Sequence, residues 1–327
     1  MLQDVNKARS RLEVIDFGRG AALVAMAIYH FTWDLEFFGY APPGMTAEGG
    51  WRLFARGIAS SFLFLVGVSL FLAHARGIRW RSFLKRMAMV AGAAAAISLA
   101  TWIAVPESFI FFGILHHIAL ASLLGLAFLR LPALLNLTLA VAAIATPFYL
   151  RSAIFDHPAL WWVGLSEINP RSNDYVPIFP FFGAVLAGIA AAKMAESAGI
   201  FARWRGVALH RWTRPAQFAG RHSLSVYLIH QPVLIGMIWL FSLVAPPAQE
   251  ARDVEFTRAC SAQCLPSRGE DFCTAYCDCV VDRLQSEGRF DEIYEDRASP
   301  ETSQRLQDIV SACSFDTEAS RSEEEAQ

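Results

Sequence analysis

Residues 16–34 read Asp16-Phe17-Gly18-Arg19-Gly20-Ala21-Ala22-Leu23-Val24-Ala25-Met26-Ala27-Ile28-Tyr29-His30-Phe31-Thr32-Trp33-Asp34. The stretch is close to the roughly 20 residues that a helix needs to cross the hydrocarbon core of a bilayer. A chain inside that core must satisfy its own backbone, so the run is read as a helix. Yet it carries Asp16, Arg19, His30 and Asp34. Ionisable side chains at membrane depth are costly and mark candidate functional sites.

Similar apolar runs recur along the chain, and 54% of all residues are hydrophobic. They place about seven spans near 18–38, 53–73, 85–104, 109–129, 132–150, 177–195 and 222–245. The expected fold is all-α: a polytopic transmembrane bundle of about seven helices followed by a small α-helical, cysteine-rich tail. Charge divides the chain at the same place. Residues 1–249 hold eleven acidic side chains, whereas 250–327 hold nineteen, with eight Arg and no Lys. Two domains are therefore expected, 1–249 and 250–327.

Basic residues set the orientation. Lys7, Arg9, Arg11, Arg76, Arg79, Arg81, Arg130, Arg203, Arg205, Arg211 and Arg214 fall in one set of loops, with Lys85, Arg86, Lys193 and Arg221 at helix ends on that side. The other loops hold Arg151 and Arg171, with Arg52 and Arg56 at the start of the second helix. The first set is assigned to the cytoplasm. The N-terminus is then inside, and seven spans carry the tail outside. The first helix reads as a retained anchor, since no small-residue cleavage site follows it.

Arg19 and His30 are eleven residues apart, three turns plus about 20°, so they share a face at an axial separation of roughly 16 Å. Asp34 lies one turn beyond His30, and Asp16 three residues before Arg19. Such a stripe could serve chemistry as follows. Arg19, a permanent cation, would meet a phosphate arriving from the cytoplasm. His30 would accept a proton from an attacking hydroxyl or amine. Asp34 would orient the imidazole. The alternative is an interhelical hydrogen-bond network that only orients helices. His116 and His117 sit at a similar depth in the fourth helix, and at most one can face His30. In the last helix Ser223, Tyr227 and His230 share a face, and Arg221 stands at the cytoplasmic mouth, where it could join Arg19. No phosphate-binding glycine loop, nucleotide fingerprint, zinc-protease helix or nucleic-acid signature is present.

The first helix resembles the opening helix of the membrane acyltransferase superfamily. The resemblance rests on Ile15-Asp16-Phe17-Gly18-Arg19-Gly20-Ala21-Ala22-Leu23 and Tyr29-His30-Phe31. Three more segments are similar to its bacterial branch related to heparan-alpha-glucosaminide N-acetyltransferase: Ser61 to Ser69, Phe112 to His116, and Gly220 to His230. The resemblance covers about residues 10–245. It implies transfer of an acetyl or similar acyl group from cytoplasmic acyl-CoA to a glycan or glycolipid acceptor at a bacterial inner membrane, with no metal. Carried over, it puts Arg19 and His30 first; together with the polar positions read above, the catalytic candidates are His30, Asp34, His117 (or His116) and His230, and the donor-binding candidates are Arg19, Asp16, Arg221, Ser223 and Tyr227. The sequence departs from the animal enzyme, which places its catalytic His beyond the first helix; Gly39 to Gly50 holds none. Seven spans make either a minimal catalytic unit or one half of a homodimer. A transporter or flippase using the same charges, or an inactive scaffold displaying the tail, are the competing readings.

All six cysteines lie in the tail: Cys260, Cys264, Cys273, Cys277, Cys279 and Cys313. Two i, i+4 pairs suit a disulfide-stapled helical hairpin, with up to three bridges outside the cytoplasm. An all-thiolate metal site is the alternative. The end, from Glu318 to Gln327, reads as disordered.

Overall fold

A computed structural model describes residues 12–205, 207–247, 252–294 and 299–325. It divides into two compact units, Met1–Pro246 and Pro247–Gln327. Lys7, Arg9 and Arg11, counted above in the cytoplasmic set, lie outside the described residues. All regular elements among the described residues are helical. The first unit contains α1 (Glu13–Phe37), α2 (Gly49–His74), α3 (Trp80–Ala104), α4 (Ile114–Phe128), α5 (Ala133–Tyr149), α6 (Ile178–Ser197), α7 (Ile200–Trp204), α8 (Arg214–Arg221) and α9 (Ser223–Val244). Among these, α1, α2, α3, α6 and α9 are long and apolar enough to cross a membrane. The shorter α4 and α5 are apolar helices of 15 and 17 residues.

Bonds between loops join the ends that alternating spans bring together. At one end the Leu209 N–H donates to the Glu13 carboxylate, and Arg76 lies near Glu196. At the other, the Tyr40 hydroxyl donates to the Ala245 carbonyl, and the Asn173 N–H to the Ser108 carbonyl.

The centre of the unit is the α2–α6 crossing. A Cβ on Gly67 would stand 2.0 Å from the Val185 carbonyl oxygen, and one on Gly188 would stand 2.1 Å from that of Phe64. Only hydrogen at both positions lets the backbones meet, as small residues do in membrane bundles. Leu63, Val185 and Ile189 are fully buried around the crossing.

Two expectations about boundaries are corrected. The fourth span was expected from residue 109, but the chain stays non-helical until Ile114. Competing bonds hold it out of the helix: the Ile110 N–H donates to Thr101 Oγ1, and the Phe112 carbonyl accepts from the Val176 N–H. Residues 196–221 were read as a cytoplasmic loop, but they contain α7 and α8. Helix α8 is amphipathic, with Pro215 in its first turn, and the break at His222 separates it from α9.

The second unit is a helical assembly of α10 (Arg252–Cys264), α11 (Glu270–Ser286), α12 (Phe290–Tyr294) and α13 (Pro300–Glu325). Cys260–Cys277 and Cys264–Cys273 staple α10 to α11, and Cys279–Cys313 ties α11 to α13. The thiols are therefore bridged, and the thiolate metal site falls away. Val280, Val281, Leu284, Phe290 and Ile309 form the small core. The expectation of disorder from Glu318 is corrected: α13 continues to Glu325, and Glu318 pairs with Arg268 at 2.7 Å. The buried residues Thr302, Ile309, Cys313 and Thr317 recur on one face, and residues 301–325 contain no Gly or Pro to end the helix.

Each bridge closes a loop of 9 to 34 residues. Such cross-links contribute roughly 3–4 kcal/mol apiece by chain entropy. Limited proteolysis of the full chain should accordingly leave residues 252–313 intact without reductant and cut them after reduction. Identical digestion patterns under both conditions would show that the core holds without the bridges.

Candidate functional site

The site is built on α1, and α8 is pressed against it. A Cβ on Gly20 would lie 1.9 Å from the Ala216 carbonyl oxygen, and one on Gly220 would lie 1.8 Å from that of Asp16. Glycine on both helices lets them touch backbone to backbone. The contact brings Arg221, at the end of α8, to the buried Asp16. One oxygen of Asp16 lies 3.3 Å from Arg19 Nη1 and the other 3.5 Å from Arg221 Nε. A second Arg19 nitrogen donates to Ser69 Oγ on α2, which donates in turn to the Leu65 carbonyl. Arg221 also donates to Gln217 Oε1, at 3.3 Å.

Two adjoining cavities share this floor. One, of about 410 Å³, is lined by Asp16, Arg19, Ser69, Arg86, Arg205 and Arg221. The other, of about 440 Å³, carries Arg19, Ser69, Arg86 and Arg221 at one end and Ser223 and Tyr227 on its α9 wall. Their volumes suit small-ligand sites, which run from about 300 to 1,000 Å³. Four guanidinium groups face one carboxylate, so the field favours an anion. Arg86 and Arg205 make no ion pair with any described residue. Arg86 was read only as a topology marker in the sequence. Its position at the membrane border hid a role that depends on the α3 packing.

Asp16, expected to bind the donor, pairs with Arg19 and Arg221 through its two oxygens. Its own charge would repel a phosphate.

Further along α1, the His30 and His230 rings lie 5.1 Å apart, and the His230 and Tyr227 rings 5.6 Å apart. His230 Nδ1 meets the Tyr227 carbonyl. A carbonyl only accepts, so Nδ1 carries the proton and Nε2 keeps its lone pair. No described residue hydrogen-bonds to that Nε2. Asp34 is fully buried, and its Oδ1 accepts from Gln231 Nε2 at 2.7 Å. It makes no hydrogen bond to His30, and its Oδ2 has no hydrogen-bond partner among the described residues. The expected orienting role passes from Asp34 to the backbone: His230, rather than His30, is the ring whose tautomer is fixed.

His116 and His117 are structural in their bonding. His116 Nε2 lies 3.1 Å from Ser98 Oγ, and its Nδ1 accepts from the Gly113 N–H. His117 is fully buried, bonds the Val176 carbonyl at 3.0 Å through Nδ1 and lines neither of the two cavities above, and its Nε2 has no hydrogen-bond partner among the described residues.

Asp174 lies in the segment before α6. It caps α4 from a distance: its Oδ2 accepts the Ile114 N–H at 2.9 Å and the Tyr227 hydroxyl at 3.5 Å. Loss of solvent pushes its carboxyl above the ordinary range, against the pull of those two donors. Nothing in its local sequence announces this, since its partners lie 60 and 53 residues away.

Residues 11–232 match the protein family described as heparan-alpha-glucosaminide N-acetyltransferase, catalytic. No curated protein matches the chain, and no solved structure does.

The glycine contact has a direct test. Gly220→Ala should part α8 from α1 and release Arg221 from Asp16, costing about 1–3 kcal/mol of stability as an overpacking change. A thermal melt in detergent reads the loss. Gly236→Ala on α9, where a Cβ meets nothing within 4 Å, should melt like the parent. Equal melting of all three proteins would deny the close contact.

Proposed function

Because the chain belongs to the heparan-alpha-glucosaminide N-acetyltransferase catalytic family, we propose that it is an integral-membrane acyltransferase. It takes acyl-CoA from the cytoplasm and delivers the acyl group to an amine or hydroxyl of a sugar-containing acceptor. The observation that carries this reading is the arginine-floored pair of cavities, joined through Tyr227 to the His30–His230 pair.

The side chains present suit a coenzyme A ester. Its phosphates ask for permanent, forked cations, and Arg19, Arg86, Arg205 and Arg221 supply them. Ser69 holds Arg19 on one side and Asp16 holds it on the other, so little side-chain entropy remains to be lost on binding. The pantetheine arm then runs along the apolar wall towards Tyr227. The donor brings a reactive thioester; the chain's own residues bind, orient and move the proton.

In the transfer, the acceptor nitrogen or oxygen attacks the thioester carbonyl carbon. The new C–N or C–O bond forms as the C–S bond breaks. His230 Nε2 takes the acceptor's proton and returns it to the leaving thiolate, so charge balances over the cycle. The Tyr227 carbonyl holds the imidazole and stabilises its charged form. His30, in ring contact with His230, completes the pocket for the acceptor. Asp174 and the Tyr227 hydroxyl fix the wall of α9 that faces the donor.

The three disulfides support a location outside the cytoplasm for the tail, since such bridges persist in oxidising compartments. With the loop charge bias, this favours a cytoplasmic N-terminus and an extracytoplasmic tail at a bacterial inner membrane.

Steady-state kinetics with acetyl-CoA and a glucosamine-terminated saccharide separate the two halves of the site. Arg19→Ala and Arg86→Ala should each raise KM for the donor by about 10- to 100-fold, as expected for a lost charge-assisted bond. His230→Ala should leave that KM in place and lower kcat by about 10²- to 10⁴-fold, the span of general base catalysis. Purified protein that neither binds CoA esters nor transfers an acyl group would end this reading. Full activity in His230→Ala would move the base elsewhere.

A further inference from the structure

The second unit lies beyond residues 11–232, so the family match assigns it nothing. Residues 250–327 hold nineteen carboxylates against eight Arg and no Lys, an excess of eleven negative charges. Between α10 and α13 a trough of about 790 Å³ opens over α11. That volume lies within the range of ligand sites. Tyr276, half-buried, lies in its floor, its ring stacked at 5.8 Å on that of the buried Phe272. Phe315 stands on the α13 wall with 71% of its surface exposed. Two aromatic side chains thus line the trough with surface left to cover. Arg268 is already committed: it pairs with Glu318 at 2.7 Å and lies 4.9 Å over the Phe272 ring. The other polar members of the lining are neutral, Gln263, Ser267, Ser311 and Ser314. The Ser267 hydroxyl donates to the Cys264 carbonyl at 3.0 Å, and that of Ser311 to the Gln307 carbonyl at 2.8 Å. Their oxygens are left as acceptors.

Such a lining asks for a ligand with donors to spare and an apolar face, and the field of the unit asks for a positive charge. An amino sugar brings all three: hydroxyls, an ammonium group, and a ring face of C–H groups. A helical peptide fits less well. Its backbone bonds are closed within itself, so it would cover the serine and glutamine groups without pairing them. We propose that the trough of the second unit binds a cationic amino-sugar oligosaccharide. Sugar rings and their ammonium groups lie against Tyr276 and Phe315, and the sugar hydroxyls donate to Ser267 and Ser311. The binding stands without the acyltransferase reading; that the bound sugar is the acceptor rests on that reading. Held on the same chain as the transfer site, the acceptor is presented there at a raised local concentration.

The test is isothermal titration of the full chain in phosphatidylcholine nanodiscs, with empty nanodiscs subtracted. The probes are the glucosamine tetramer of chitosan, cellotetraose, tetralysine and a lysine–leucine amphipathic helix. The glucosamine tetramer should bind at least about tenfold tighter than cellotetraose, which lacks charge, or tetralysine, which lacks the sugar face. Phe315→Ala and, independently, Gln263→Ala on the α10 wall should each weaken it by about three- to tenfold and leave tetralysine where it was. Both side chains are exposed, so neither change opens the core. A tetramer that binds no better than tetralysine, or that ignores both substitutions, overturns the proposal. So does a trough that takes the lysine–leucine helix in its place. In the transfer assay the two variants should raise KM for the tetramer by the same factor, and an unchanged KM overturns its assignment as acceptor. Absence of any acyl transfer removes the acyltransferase reading, and the titration still decides what the trough binds.

Discussion

Gly20 on α1 and Gly220 on α8 lack the one carbon that would keep their helices apart, and the basic face of the protein hangs on that absence. At a backbone separation that leaves no room for a Cβ, Asp16 reaches Arg221 as well as Arg19. One carboxylate then aligns two guanidinium groups that would otherwise repel each other. In a partly buried ion pair the desolvation cost offsets much of the attraction. Here the pairing matters for geometry more than for stability: it points fixed cations into a shared cavity wall. A second reciprocal glycine contact, Gly67 with Gly188, does the same for the scaffold by locking α2 against α6.

Helix α1 meets the last helices at three levels, through Asp16 with Arg221, His30 with His230, and Asp34 with Gln231. Each level pairs a polar group that the bilayer would penalise alone. Their chemistry differs with depth. Permanent cations stand at the Arg19 end of α1, where the proposed anionic donor would bind. Imidazoles stand eleven residues further along, where the proposed transfer would move a proton. Tyr227 belongs to both regions, since it lines the larger cavity and its carbonyl sets the tautomer of His230. On the proposed reading, the order of groups along one helix is an order of events for the substrates.

Much of this was legible in the sequence. The spans follow from apolar run length, and the polar stripe of α1 follows from helical periodicity. The cysteine spacing foretold the stapled hairpin, though the pairing needed the fold. What escaped was long-range. Arg86 reads as one more basic flank until α3 turns it into the cavity. Asp174 reads as a loop residue until the segment before α6 folds back on α4. Asp34 looks like the partner of His30 by periodicity, yet the hydrogen bond it makes is to Gln231 on a neighbouring helix. Helix α8 is too short and too basic to register as a packed element, and its two-glycine contact is invisible without both helices in place. The end of α13 differs from the disorder its charge suggested: the helix runs to Glu325, and Glu318 pairs with Arg268.

The account stands or falls on where a coenzyme A ester sits. The most direct measurement is a structure determined by electron cryomicroscopy with acetyl-CoA bound. The account predicts phosphate density among Arg19, Arg86 and Arg221, with the pantetheine arm running towards Tyr227. Density for the phosphates at the opposite end of the bundle, or on the second unit, would contradict it.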